Sequence, residues 1–208
     1  MQYTINHVPI SKYHRPGTKT TMQYITVHNT AVPGASAANL RSSLGQPNNK
    51  RYASWHICVD ANQAIECLPL NEVAYHAGDG NGNGNMHSIG IEVCEVDGAE
   101  QAAIELITKM LKERGWGIDR VKKHQDWSGK NCPRLIIPHW GQFISSIQAK
   151  LQGGNIVKAI VTYFGDGDLF AAVLVSQKMH CPLMSVDDFR ASGIKADKIY
   201  QIGGKPGS

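Results

Sequence analysis

Residues 88–114 read SIGIEVCEVDGAEQAAIELITKMLKER, and the change of rhythm inside this stretch decides the fold. Ser88 to Glu95 is rich in β-branched and apolar side chains, which is strand composition. After Val-Asp-Gly the period changes. Apolar residues at 103, 106, 107, 110 and 111 line one face of a helix, and Gly115 stops it. Upstream, Tyr24 to His28 (YITVH) reads as a strand emptying into a loop at Pro33-Gly34, so His28 is expected at a strand end. Ser36 is placed to cap a short helix through Leu44. Ser54 to Asp60 (SWHICVD) and Ala64 to Leu68 (AIECL) suggest a hairpin. Between the hairpin and Ser88, DGNGNGNM is polar and glycine-rich enough to be expected as mobile surface.

Downstream of the helix come a short VKKH strand, the loop QDWSGKNCPR and a second amphipathic helix carrying Trp140, Phe143, Ile144, Ile147 and Leu151. Gly153-Gly154 then marks the expected domain boundary, giving a domain over 1–152 and another over 155–208. The second is expected to run as a strand over 156–164, an Asp-capped helix from Asp166 to Gln177, a strand from Cys181 to Met184, a capping box from Ser185 to Asp188 and a strand from Lys198 to Ile202. That alternation implies a small parallel α/β unit.

Composition narrows the classes of function. With 42% hydrophobic and 18% charged residues among 208, the chain is globular rather than disordered. A net charge of +4 without any Lys/Arg run argues against a nucleic-acid partner. No stretch approaches the roughly 20 apolar residues of a membrane span, and the opening residues lack a signal-peptide core, so cytoplasmic synthesis without membrane insertion is expected. Five cysteines cannot all pair; Cys58, Cys67 and Cys94 lie in strand-like stretches as buried thiols, Cys181 is expected to be another, and Cys132 sits in a polar loop.

That loop carries the chemistry. His124 and Cys132 stand eight positions apart across it, and His28 stands far upstream. Two imidazoles and a thiolate are three tetrahedral ligands with a fourth position left for water, the pattern of a catalytic zinc site. The spacing alone does not single out a metal site in a chain with nine histidines.

ITVHNT, SWHICVD, YHAGDG, SIGIEVCE and HQDWSGKNCPR occur in that order, and over about residues 20–151 the run resembles the zinc N-acetylmuramoyl-L-alanine amidases of phage and prophage endolysins. These belong to the type 2 amidase superfamily, which also holds the peptidoglycan recognition proteins. The resemblance implies an α/β fold with a central mixed β-sheet flanked by helices, peptidoglycan as substrate, and Zn2+ as cofactor. It implies His28, His124 and Cys132 as zinc ligands, Glu92 as the acid/base and Lys130 as the residue steadying the oxyanion. Some members lacking the glutamate use a tyrosine where this chain has Trp55, so the burden falls on Glu92. Substrate contacts are expected from Trp55 and from His76, which matches a cleft histidine. His56 is either a substrate group or a packed strand histidine, and Trp127 either floors the cleft or packs the loop. His7, His14, His87 and His139 are read as ordinary surface histidines.

The tail, AIVTYFGDGDLFAAVLVSQKMHCPLMSVDDF and then ADKIYQIGG, resembles one type 2 cell-wall-binding repeat of clostridial surface proteins. This implies an anionic wall polymer as its partner and a clostridial type of host. Because a lone core of fewer than about 60 residues is marginal, association of several tails into a homo-oligomer is expected. The resulting expectation is an endolysin held in the host bacterial cytoplasm until release. Its rivals are a non-catalytic peptidoglycan-binding module and a zinc peptidase of the stem peptide.

Overall fold

In the computed structural model, which describes residues 1–151, 156–192 and 194–204, six strands make one mixed sheet. They are β1 (Gln2–Ile5), β2 (Tyr24–Pro33), β3 (Ile57–Val59), β4 (Gln63–Glu66), β5 (Ser88–Glu95) and β6 (Val121–Lys123). Their lateral order is β1-β4-β3-β5-β2-β6. Only β3 and β4 pair antiparallel, as the hairpin spacing requires. Helices α1 (Ala37–Leu44), α2 (Asn83–Met86), α3 (Ala99–Arg114), α4 (Gln125–Ser128) and α5 (Trp140–Leu151) flank it. β5 lies between β3 and β2 and is covered by α3, so it reads as an apolar run interrupted only by the half-buried Glu92 and Glu95.

The predicted apolar face of α3 is buried throughout: Ala103, Leu106, Ile107, Met110 and Leu111. Each larger side chain contributes roughly 1.5–3 kcal/mol by leaving water. Gly115 ends the helix at φ 63°, a left-handed position that a Cβ would strain. Ser36 caps α1 in a full capping box with Asn39.

Two expectations for this region need correction. β2 does not stop at His28: its ladder with β5 continues to Asn29, breaks in an irregularity, and resumes where Pro33 faces Glu95. The glycine-rich 79–86 stretch is not loose surface, because the Asp79 carboxylate accepts from the backbone of Gly84 and Asn85 and winds the short α2. Gly84 and Asn85 are buried there.

The chain divides into two compact units, Met1–Ile147 and Gln148–Ser208, the division falling within α5. Gly153-Gly154 lies outside the described residues. The second unit contains β7 (Ile156–Val157), β8 (Ile160–Tyr163), α6 (Asp166–Met179), β9 (Leu183–Ser185), α7 (Val186–Ser192), β10 (Lys195–Ala196) and β11 (Ile199–Ile202). All its strand pairs are parallel, in a β11-β8-β9 sheet and a β10-β7 pair. The single strand expected over 156–164 is broken because its two halves join different sheets. Asp166 is the first residue of α6 rather than its cap, which is Gly165. Cys181 is half-buried, not buried. No helix among the described residues is long and apolar enough to cross a membrane.

Candidate metal centre

His28 and Glu92 stand opposite one another on neighbouring parallel strands, so their side chains leave the same face of the sheet on one rung. His124 follows β6 directly, and its N–H bonds to the carbonyl of Val27, which seats it beside His28. Cys132 arrives on the loop after α4. The neighbouring Asn29 clamps that loop, its side-chain oxygen accepting from the Leu135 N–H at 3.0 Å, while Gln125 N–H donates to the Cys132 carbonyl. Three segments far apart in sequence thus converge. Nδ1 of His28 lies 3.0 Å from Nδ1 of His124 and 3.8 Å from Sγ of Cys132, and all three donor atoms fall within 4.8 Å of one another.

Those distances suit one ion. Tetrahedral zinc with bonds near 2.0–2.1 Å to nitrogen and 2.3 Å to sulfur holds N···N at about 3.3 Å and N···S at about 3.6 Å. Two imidazoles and a thiolate are also the donor types zinc takes, and three of them leave one corner open. The protonation pattern agrees. His76 sits behind His28, its Nδ1 3.0 Å from His28 Nε2 and its Nε2 3.1 Å from the Ser88 carbonyl. A carbonyl can only accept, so Nε2 of His76 carries its proton and Nδ1 accepts from His28. His28 is therefore protonated on Nε2, and its Nδ1 lone pair faces His124 and Cys132. Burial holds His28 well below the ordinary imidazole value, and neighbouring His76, His124 and Lys130 push the same way.

The site opens into a cavity of about 160 Å³ whose lining includes His28, His76, Glu92, His124, Lys130 and Cys132 together with Trp55 and Tyr75. Glu92 Oε2 is buried without a hydrogen-bond partner among the described residues. Burial pushes the Glu92 carboxyl up to about 8 against the opposing pull of Lys130. Cys132 is pushed up to about 11, again chiefly by burial.

Each expected site residue can now be located. His28, His124 and Cys132 meet; Glu92, Lys130 and Trp55 line the same cavity. His76 also lines it, but both its ring nitrogens are committed, to His28 and to Ser88, so it holds a neighbour instead of reaching outward. His56 follows its packed reading: it is fully buried, accepts from Gly90 N–H on Nδ1 and donates to the Glu72 carbonyl from Nε2. Trp127 packs the loop, donating to Thr26 Oγ1 and meeting Tyr24 edge-on, and does not line the cavity. His14, read as a surface histidine, is buried.

Residue-type reasoning missed Asn29, and it missed Asn85, whose Oδ1 accepts from both His76 and Ala77 N–H. Gly90 was missed as well: a Cβ there would come within 2.7 Å of the His76 ring. The one available signal was a glycine between two isoleucines inside a strand.

Residues 18–135 match the N-acetylmuramoyl-L-alanine amidase family, Amidase_2. The chain belongs to this amidase family. Among its relatives in Bacillus subtilis (strain 168), the N-acetylmuramoyl-L-alanine amidase XlyB is 46% identical over 146 residues, covering 65% of this chain and 45% of XlyB. The amidase CwlA of the same strain is 48% identical over 140 residues, covering 62% of this chain and 50% of CwlA. The chain thus spans about half the length of the curated relatives it matches. Among solved structures, the catalytic domain of XlyA superposes with a TM-score of 0.67 at 41% identity, covering 71% of this chain and 99% of that domain. PlyL superposes at 0.65 with 34% identity, covering 71% and 98%. The mixed sheet flanked by helices is accordingly the fold of these endolysin-type catalytic domains.

Proposed function

We propose that this chain is a zinc-dependent N-acetylmuramoyl-L-alanine amidase of the endolysin type, cutting the amide between N-acetylmuramic acid and L-alanine in peptidoglycan. The observation that carries the reading is the convergence of His28, His124 and Cys132 on one point of a cavity that is also lined by the half-buried Glu92 and the exposed Lys130. Membership of the amidase family supports the substrate.

His28, His124 and Cys132 would hold a zinc ion, which would supply Lewis acidity and lower the pKa of water to about 7. Glu92 takes the proton from the attacking water on a carboxylate oxygen and returns it to the L-alanine nitrogen as that nitrogen leaves. The ammonium of Lys130 faces the charge that develops on the amide carbonyl oxygen. His76 fixes the orientation and tautomer of His28, and Trp55 with Tyr75 walls the cavity against water.

The two units divide the work in this reading: a catalytic domain over 1–152 and a wall-binding domain over 155–208 that takes an anionic wall polymer of a clostridial type of host. The second unit further joins copies of the chain. Its α6 leaves Phe170 76% and Leu174 51% exposed, one turn apart on one helix face, while its buried apolar side chains are few. The protein is made and held in the host cytoplasm and acts on the wall once released.

The test is turbidity loss of purified clostridial walls by wild type and by Glu92→Ala, with zinc measured in both and products analysed. Lactyl-bearing glycan and intact stem peptides are expected from wild type. The variant should keep its metal and lose at least about 100-fold in rate. Unchanged lysis removes Glu92 from the reaction, and cleaved stem peptides indicate a peptidase instead.

A further inference from the structure

The wall of the cavity continues outward as a strip of tyrosines. Tyr75, which lines the cavity, meets Tyr52 edge-on with ring centroids 6.2 Å apart, and Tyr52 meets Tyr13 edge-on at 5.1 Å. Tyr52 is 64% exposed, a large amphipathic ring turned to solvent at the edge of a catalytic cleft.

Buried polar contacts hold the strip in place. Ser54 and Tyr75 bond reciprocally, Ser54 N–H to the Tyr75 carbonyl and Tyr75 N–H to Ser54 Oγ, both at 2.9 Å. Next to Tyr13, the buried His14 ring donates from Nε2 to the Asn49 carbonyl and so ties the segment carrying Tyr13 to the loop carrying Tyr52. The result is a preorganised aromatic surface joined to the reaction site through Tyr75. Tyrosine gives large contact area at small entropic cost and offers a hydroxyl at its tip.

We propose that Tyr75, Tyr52 and Tyr13 form a subsite for the glycan strand, seating sugar rings beyond the muramic acid whose amide enters the cavity. This rests on the amidase reading. The bond to be cut has an uncharged sugar polymer on one side and a peptide bearing carboxylates and an amine on the other. Tyrosine rings suit the first: they offer the pyranose C–H faces a flat apolar partner and its hydroxyl and acetamido groups a phenol. A second groove that shares Asn29 with the cavity contains Glu95, Asp97 and Glu100, whose carboxylates match the amine of the peptide and not its carboxylates.

The experiment is a binding titration of the full chain with soluble N-acetylglucosamine–N-acetylmuramic acid strands stripped of peptide and wall polymer, and separately with free stem peptide. Tyr52→Ala should weaken binding of the strands about fivefold or more, Tyr13→Ala should weaken it further in combination, and Tyr52→Phe should stay within about twofold of wild type. Stem-peptide affinity should not move. The proposal is overturned if wild type shows no saturable binding of the strands, if Tyr52→Ala binds them like wild type, or if the loss falls on the peptide. Tyr52 is exposed enough that its single variant decides the matter should the double variant unfold. Because no hydrolysis is read, the amidase reading can fail in the wall assay while strand binding through Tyr52 stands, and the reverse.

Discussion

At the scale of single residues, the arrangement most open to test is the one behind His28. His76 donates to a backbone carbonyl and thereby assigns the proton on His28, and Gly90 keeps open the space its ring occupies. Partners of this kind typically change metal affinity by about 10–100-fold when removed. His76→Ala is therefore expected to weaken zinc retention by that order in a chelator competition, and His76→Gln, which keeps an acceptor and a donor, should recover part of it. Gly90→Ala should reproduce the loss with His76 still in the chain, because its Cβ displaces the ring. Equal zinc affinity in His76→Ala and wild type would remove His76 from the site's support.

At the scale of elements, the sheet carries a layer of titratable groups whose protonation is tied to folding. His56 and His76 titrate near 4 and 3 instead of 6.5, because burial disfavours the imidazolium. The unfolded chain takes up protons at these rings below 6.5 and the folded chain does not. Their stabilisation is thus complete above 6.5 and lost as pH falls, by up to about 1.4 kcal/mol per pH unit for each ring. Glu92 acts in the opposite sense. In the metal-free fold its carboxyl, pushed up from 4.5 to about 8, keeps its proton, so its contribution is complete below 4.5 and is lost as pH rises from there through 8. Thermal unfolding of the metal-free chain should therefore peak near neutrality, with lower midpoints at pH 5 and pH 9, and Glu92→Gln should flatten the alkaline side and steepen the rise between pH 5 and pH 6.5. A midpoint that keeps rising from pH 7 to pH 9 in wild type would contradict the burial of this carboxyl. The same layer marks where sequence reading succeeds. The β5–α3 unit was legible because its periods switch cleanly and it is buried by its neighbours, and the meeting of His28, His124 and Cys132 because residue types and family resemblance agreed. The α2 stretch was not legible, because its order comes from Asp79 and Asn85 side chains bonding to backbone, which glycine-rich composition conceals. The roles of His56 and Trp127 were equally hidden, since partners 16 and 101 positions away along the chain decide them.

At the scale of the molecule, the two units differ in self-sufficiency. The first has a six-stranded sheet with buried residues on most of its strands, and the second has a three-stranded sheet, a two-stranded pair and an exposed apolar helix face. Sedimentation of the full chain at micromolar concentration is expected to show a species heavier than one chain. Phe170→Glu with Leu174→Glu should return it to a single-chain mass, and a wild type that is already of single-chain mass would exclude this face as a self-association surface. The larger unit has a further property. Because His28 and Glu92 share one rung of the β2–β5 ladder, their separation is a repeat distance of hydrogen-bonded backbone and owes little to the shapes of the side chains packed around them. Core residues around them can then be exchanged, and the spacing between imidazole and carboxylate survives, as the gauge of a railway survives replacement of the ballast beneath it.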